Sequence, residues 1–296
     1  MKCAVCGHIR AGGYQELAQH FYDLAEESDP SHVMWLNRNI TRRKIDVEAL
    51  AEKLRKYDKG GGSLATWIKQ TFIERFLGEK PHPFVLALQN PSRAVLLGYV
   101  LEHQHFLRQW VRSCASVIAK TDKVDVTLYE IDNIATEFGG QGRDSPSHYE
   151  LLIKMGEALG LERGAILSEA ALPKTREAIS TWRRMAKEAH WLEIMAAMHS
   201  LELIANRRLR DEGAAIGYFD PRIFSRDDIP QAVKDFLREG YEADVRHSEE
   251  ALALVEKYTE ELGMEEQVRS AVLESMDAFD TYLQSRLERS RQYEGA

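Results

Sequence analysis

Long apolar runs are missing from this sequence. No stretch approaches the roughly 20 residues that cross a bilayer. The opening residues, MKCAVCGHIR, form no hydrophobic signal region. Both absences lead us to expect a cytoplasmic chain without membrane contact. Cysteine is scarce: Cys3, Cys6 and Cys114 are too few for a disulfide framework. Proline is also scarce, with 8 in 296 residues, so few positions forbid a helix. No convincing strand alternation and no repeat that would fix a solenoid is present. The excess of 47 acidic over 39 basic side chains, a net charge of -8, argues against a nucleic-acid surface over the whole molecule.

What remains is rich in Ala, Leu, Glu and Arg, which favour helices. Periodicity predicts roughly seven to ten helices packed mainly as a bundle. The stretch DKGGGS at 58–63 reads as a linker. It divides the chain into an N-terminal extension, 1–60, and a helical domain, 61–296. A second loop, EFGGQGRDSPSH, spans 137–148, and a longer one precedes Pro230, where a helix is expected to start.

Three helices carry a carboxylate and an imidazole three residues apart: Glu102 with His105, His199 with Glu202, and Asp244 with His247. The last pair is the clearest. Val233, Leu237, Gly240, Asp244, His247, Ala251 and Leu254 alternate spacings of four and three, which keeps them on one face. The other faces are charged, so the ionisable pair sits on the side expected to be buried. Burying it is costly unless something compensates it. Val95, Gly98, Glu102 and His105 form a comparable stripe, which would leave His103, about 100° away, at the periphery. Taken singly, such pairs are ordinary buried polar groups that satisfy each other. Three on three inward faces suit a carboxylate-bridged metal site in a bundle core.

Here the sequence resembles the heme-oxygenase-like diiron oxidases and oxygenases, related in fold to the TenA/PqqC-like helical enzymes. HPFVLALQN (82–90), SHYELLIKMGEALGL (147–161), SLELIANR (200–207) and YEADVRHSEEAL (241–252) carry the resemblance. It implies an all-α, heme-oxygenase-like bundle holding two iron ions that activate O2. Glu102, His105, Glu202, Asp244 and His247 are the implied ligands and catalytic residues. The family often has another histidine where this chain has Gly240, and His199 is a candidate to replace it. The implied reaction is N-oxygenation or oxidative C–C cleavage of a small amine, amino acid or fatty-acid-like molecule in a biosynthetic setting. Its partners would be that substrate and an electron donor, and a homodimer is compatible with this reading. Two alternatives stand beside it. One is a metal-free TenA/PqqC-like enzyme or binding protein for a small heterocycle. The other is a zinc-containing interaction protein on a helical scaffold.

The N-terminal segment has its own candidate site. Cys3 and Cys6 could fill two positions of a tetrahedral structural zinc, with His20 and His32 supplying the others. The spacing C-x2-C-x13-H-x11-H is not a standard finger, and a CxxC near a chain start also occurs as two free thiols.

Overall fold

Helix-start signals written in the sequence are used where they stand. Ser92 and Ser147 cap helices by accepting from Val95 N and Glu150 N. Asp29, followed by a proline at the first helical position, accepts from His32 N. His190 and Glu193 form a capping box, which satisfies two donors that the first helical turn leaves unpaired. Gly263 ends a 32-residue helix in the left-handed region, φ 65°, where glycine carries no side-chain penalty.

The computed structural model of the chain describes residues 2–8, 12–41, 43–59, 63–139 and 146–295, without side chains 38, 56, 58, 59 and 242–246. The glycines of the expected linker and the middle of the 137–148 loop lie outside the described residues. The chain divides into two compact units, Met1–Trp67 and Ile68–Ala296.

The first unit contains α1 (Gly13–Glu26), α2 (Pro30–Asn39) and α3 (Val47–Lys59). A small core of Cys3, Leu17, Phe21, Leu36, Leu50 and Leu54 holds them together. After α4 (Leu64–Phe72), the second unit runs through α5 (Pro83–Leu88), α6 (Arg93–Lys120), α7 (Val124–Ile134), α8 (His148–Ala158) and α9 (Arg163–Ser168). It continues with α10 (Pro173–Glu188), α11 (Trp191–His199), α12 (Gln231–Leu262) and α13 (Glu265–Arg291). No β-strand occurs among the described residues. These 13 α-helices exceed the expected number because short ones such as α5 and α9, six residues each, have too few turns to show a period. No described helix is long and apolar enough to cross a membrane.

In the second unit α6 is central, packing on α7, α10, α11 and α13, while α12 closes against α8 and α11. The α6–α13 contact is the tightest in consequence. A Cβ at Gly98 would stand 2.3 Å from the Arg286 carbonyl oxygen and 2.9 Å from the Ser290 nitrogen. Only glycine lets the two backbones approach this far.

Candidate active site

Tyr99, His103, Phe106 and Trp110 follow one another on α6 at spacings of four, three and four, and all four line one cavity. The cavity encloses about 690 Å³ of empty space, its open mouth included. Glu202 and Leu201 enter it from the 3₁₀ turn after α11, Phe236, Gly240 and Tyr241 from α12, and Phe279 and Arg286 from α13. Glu137, His148 and Tyr218 complete its polar wall. His148 Nδ1 lies 3.3 Å from Glu137 and 3.4 Å from Glu239.

Arg286 is 1 % exposed. Its Nη1 donates to the Tyr218 hydroxyl (2.6 Å), and its Nη2 donates to Tyr282 Oη (2.5 Å) and His103 Nδ1 (2.7 Å). Its Nε–H has no hydrogen-bond partner among the described residues. The guanidinium also lies over the rings of Tyr99, Tyr282 and Phe84, at 4.1–5.0 Å from their centroids. Burial pushes the His103 imidazole well below its ordinary range, and the neighbouring Arg286 and His148 add to this. His103 is therefore neutral, and since Nδ1 accepts, its proton is on Nε2.

These positions correct the expectation for α6. His103 is on the cavity, not the periphery. Gly98 and Glu102 are buried as expected and His105 is half-buried, but the stripe packs against α13 and the segment before α10. Glu102 Oε1 receives Arg289 Nε at 2.7 Å, and Oε2 receives the backbone N–H of Leu172 at 3.2 Å. Arg289 goes on to Glu169 (2.6 Å) and the Ala170 carbonyl (2.6 Å), so this carboxylate ties three elements together. His105 does not line the cavity, and its Nε2 is buried without a hydrogen-bond partner. Burial lowers its pKa. His247 is buried; its carbonyl accepts from Tyr129, and its Nε2 lies 4.0 Å from Asp132. The Asp244 side chain lies outside the described residues. Of the expected ligands among the described residues, the structure brings Glu202 and His199 together, 3.3 Å apart. Among the described residues, three or more His, Cys, Asp or Glu ligand atoms come within 4.8 Å of one another in two places. One is Cys3, Cys6, His20 and His32; the other is Cys114, Glu130 and His199. Neither contains Glu102, His105, Glu202 or His247. Glu102, with both oxygens hydrogen-bonded, and His105 stand apart from Glu202, and the Asp244 side chain lies outside the described residues.

His199 is held between two carboxylates: Glu130 Oε1 lies 3.0 Å from Nε2, and Glu202 Oε2 lies 3.3 Å from Nδ1. Burial by itself would lower its pKa, but Glu130 and then Glu202 outweigh it and raise the imidazole to about 10. The group beside Cys114 is an ion triad of His199, Glu130 and Glu202, in which Glu130 Oε2 and Glu202 Oε2 are buried without a hydrogen-bond partner among the described residues. It fixes the Glu202 carboxylate at the cavity wall.

In the first unit, Cys3 Sγ lies 3.6 Å from His32 Nε2 and Cys6 Sγ lies 3.3 Å from His20 Nε2. Tetrahedral zinc, with Zn–S about 2.3 Å and Zn–N about 2.05 Å, sets such donors roughly 3.5 Å apart. The turn that presents the thiols closes through Gly7 N to Cys3 O (3.0 Å), with Gly7 at φ 73°. Asp29 Oδ1 orients His32 through Nδ1 at 2.6 Å, the outer carboxylate typical of a ligating imidazole. The four residues fit a structural zinc.

The His199 triad yields a pH dependence. Its folded pKa, about 10, exceeds the unfolded value of about 6.5. The stability it contributes is therefore complete below about pH 6.5 and is lost as pH rises toward about 10. The urea midpoint of the native chain should fall more steeply between about pH 7 and 9 than that of His199→Gln. Equal slopes would refute the buried imidazolium.

Comparison with known proteins follows this division. The sequence pattern of the TENA/THI-4/PQQC family matches residues 67–289. A C2H2 type zinc-finger pattern matches residues 2–59 in one copy. The pyrroloquinoline-quinone synthase of Klebsiella pneumoniae is 30% identical over 128 residues, 42% of this chain and 49% of its own length. The chain thus spans about half the length of the curated relatives it matches. A Shewanella denitrificans domain of unknown function with a heme oxygenase-like fold superposes at a TM-score of 0.58, with 15% identity, over 86% of this chain and 97% of its own. A TenA homolog from Pseudomonas syringae pv. tomato superposes at 0.56, with 13% identity, over 80% and 92%. Both likenesses concern the fold alone. The fold is all-helical and heme-oxygenase-like, as the sequence implied, and through residues 67–289 the chain belongs to the TENA/THI-4/PQQC family.

Proposed function

We propose that the second unit is an enzyme that oxidises a small planar molecule with dioxygen, in the aromatic cavity between α6, α12 and α13. The observation that carries this reading is the pairing of a carboxylate and a neutral imidazole on one enclosed wall set. Tyr99, Phe106, Phe236 and Tyr241 provide ring faces that orient a flat substrate and exclude water. Glu202, fixed by the His199 imidazolium, accepts the proton that leaves the substrate. His103, whose Nδ1 accepts from Arg286, donates from Nε2–H. The substrate loses two electrons and two protons, and dioxygen takes them up as hydrogen peroxide. Likeness to pyrroloquinoline-quinone synthase over part of the chain supports oxidation as the reaction class. Dioxygen activation by two irons rests on the sequence resemblance and would need ligands other than Glu102, whose carboxylate is engaged by Arg289.

Oxygen uptake tests this directly. A panel of dihydro-heteroaromatic compounds, with and without added Fe(II), should contain members that drive uptake above the uncatalysed rate without added iron. Glu202→Gln should lower that rate about 10²–10⁴-fold with the fold retained. Uptake by no panel member, or an unchanged rate in Glu202→Gln, would refute the assignment. Uptake only with Fe(II) would favour the iron-dependent reading.

We also propose that the first unit holds one structural zinc on Cys3, Cys6, His20 and His32. Its small core is of a size that commonly needs a metal or another staple. With four protein ligands the site would be closed, which suits stabilisation rather than catalysis. The purified chain should retain one zinc after mild chelation, and Cys3→Ser with Cys6→Ser should lose it together with the protease resistance of residues 2–59. Metal retained by the double variant, or a native protein without zinc, would contradict this.

A further inference from the structure

The cavity holds a positive charge for which the described residues supply no negative partner. Arg286 is 1 % exposed, and its three hydrogen bonds all end on neutral acceptors: two phenols and an imidazole nitrogen. Its Nε–H makes none. Among the described residues no carboxylate forms an ion pair with it, whereas Arg289, one turn further along α13, has both Glu102 and Glu169. Burial opposes its charge, but the tyrosine oxygens around it leave the guanidinium firmly protonated. An isolated buried charge is strongly unfavourable unless it is matched. The ring faces of Tyr99, Tyr282 and Phe84 soften that cost without cancelling the charge.

A second, independent feature has the same sign. A cleft shares Ala205, Tyr218, Phe219 and Tyr241 with the cavity and carries Arg207, Arg208 and Arg210 on its rim. Arg207 lies over the Tyr241 ring at 5.0 Å, and Arg210 donates to the carbonyls of Ala214 and Ala215. None of the three has a carboxylate partner among the described residues. Asp211 and Asp220 line the same cleft, Asp220 already bound by Arg222, so the three arginines leave a local excess of positive charge on a chain whose net charge is -8.

We infer that the substrate of this cavity carries a carboxylate, which enters past Arg207, Arg208 and Arg210 and seats on Arg286. Arg286 is the one permanently cationic side chain among the lining residues, so it matches a single negative charge better than a doubly charged phosphate. Glu202 and Glu137 line the same cavity and repel a carboxylate, so Arg286 is its one favourable seat there. A substrate held there turns its other end, with the hydrogen to be removed, toward Glu202. This rests on the reading of the cavity as the catalytic site.

Calorimetric titration with indole-2-carboxylate and its uncharged counterpart, indole-2-carboxamide, tests the assignment without turnover. The native chain should bind the carboxylate at least about tenfold more tightly. Arg286→Met should bring the ratio close to one, and Arg286→Lys should keep part of it. Arg207→Gln with Arg208→Gln should slow association of the carboxylate several-fold at low salt. Equal affinity of the native chain for both probes, no binding of either at millimolar concentration, or a preference that survives Arg286→Met would overturn the inference. If Arg286→Met does not fold, the native comparison and Arg286→Lys decide. The outcome is separable from the oxidation proposal. A charge preference without oxygen uptake by any panel member leaves this inference standing and removes that one. Uptake that is indifferent to carboxylate does the reverse.

Discussion

The approach of α6 to α13 at Gly98 is the contact on which the second unit depends. A glycine there lets the α6 backbone lie against the carbonyl of Arg286. At that separation every α6 side chain near the contact must either fit into α13 or turn aside. Glu102, one turn after Gly98, meets Arg289 and becomes a tie between helices. Tyr99 and His103, on the adjacent face, are left beside the Arg286 guanidinium. One close backbone contact thus sorts the polar groups of α6 into a structural set and a cavity set.

The cavity is electrically divided as a result. Its α13 side presents a buried cation bonded only to neutral groups. Its α11 side presents Glu202, one of two carboxylates that share the His199 proton and so leave a net negative charge there. In a medium of low polarity such separated charges orient a ligand strongly, and they do so without rearrangement when it arrives. The bundle contributes rigidity: Tyr282, Tyr218 and His103 fix the guanidinium in place, and Glu130 fixes the imidazolium that fixes Glu202.

The helical class was legible in the sequence because capping residues and period carry it, and the late-helix stripe through Gly240 does reach the cavity. The pairs were misleading on α6 for a physical reason. That helix is buried on nearly every side, so its periodicity marks an inward face without saying which neighbour the face meets. A Glu–His pair packed on another helix and one packed on a cavity look the same in sequence. Arg286 left even less trace. Its own helix is charged along much of its length, and only the fold separates Arg289, which has carboxylates, from Arg286, which has none among the described residues. By contrast, the convergence of Cys3, Cys6, His20 and His32 was readable from residue types, since few other thiols and imidazoles stand near in the chain.

The lone guanidinium of the cavity is a seat for an anion. Anomalous diffraction from crystals of the ligand-free protein soaked in bromide measures this most directly. A bromide should appear in the cavity, in contact with the Arg286 guanidinium. A side-chain carboxylate of the protein lying against Arg286 in its place, or a cavity free of bromide while the ion binds elsewhere, would contradict it.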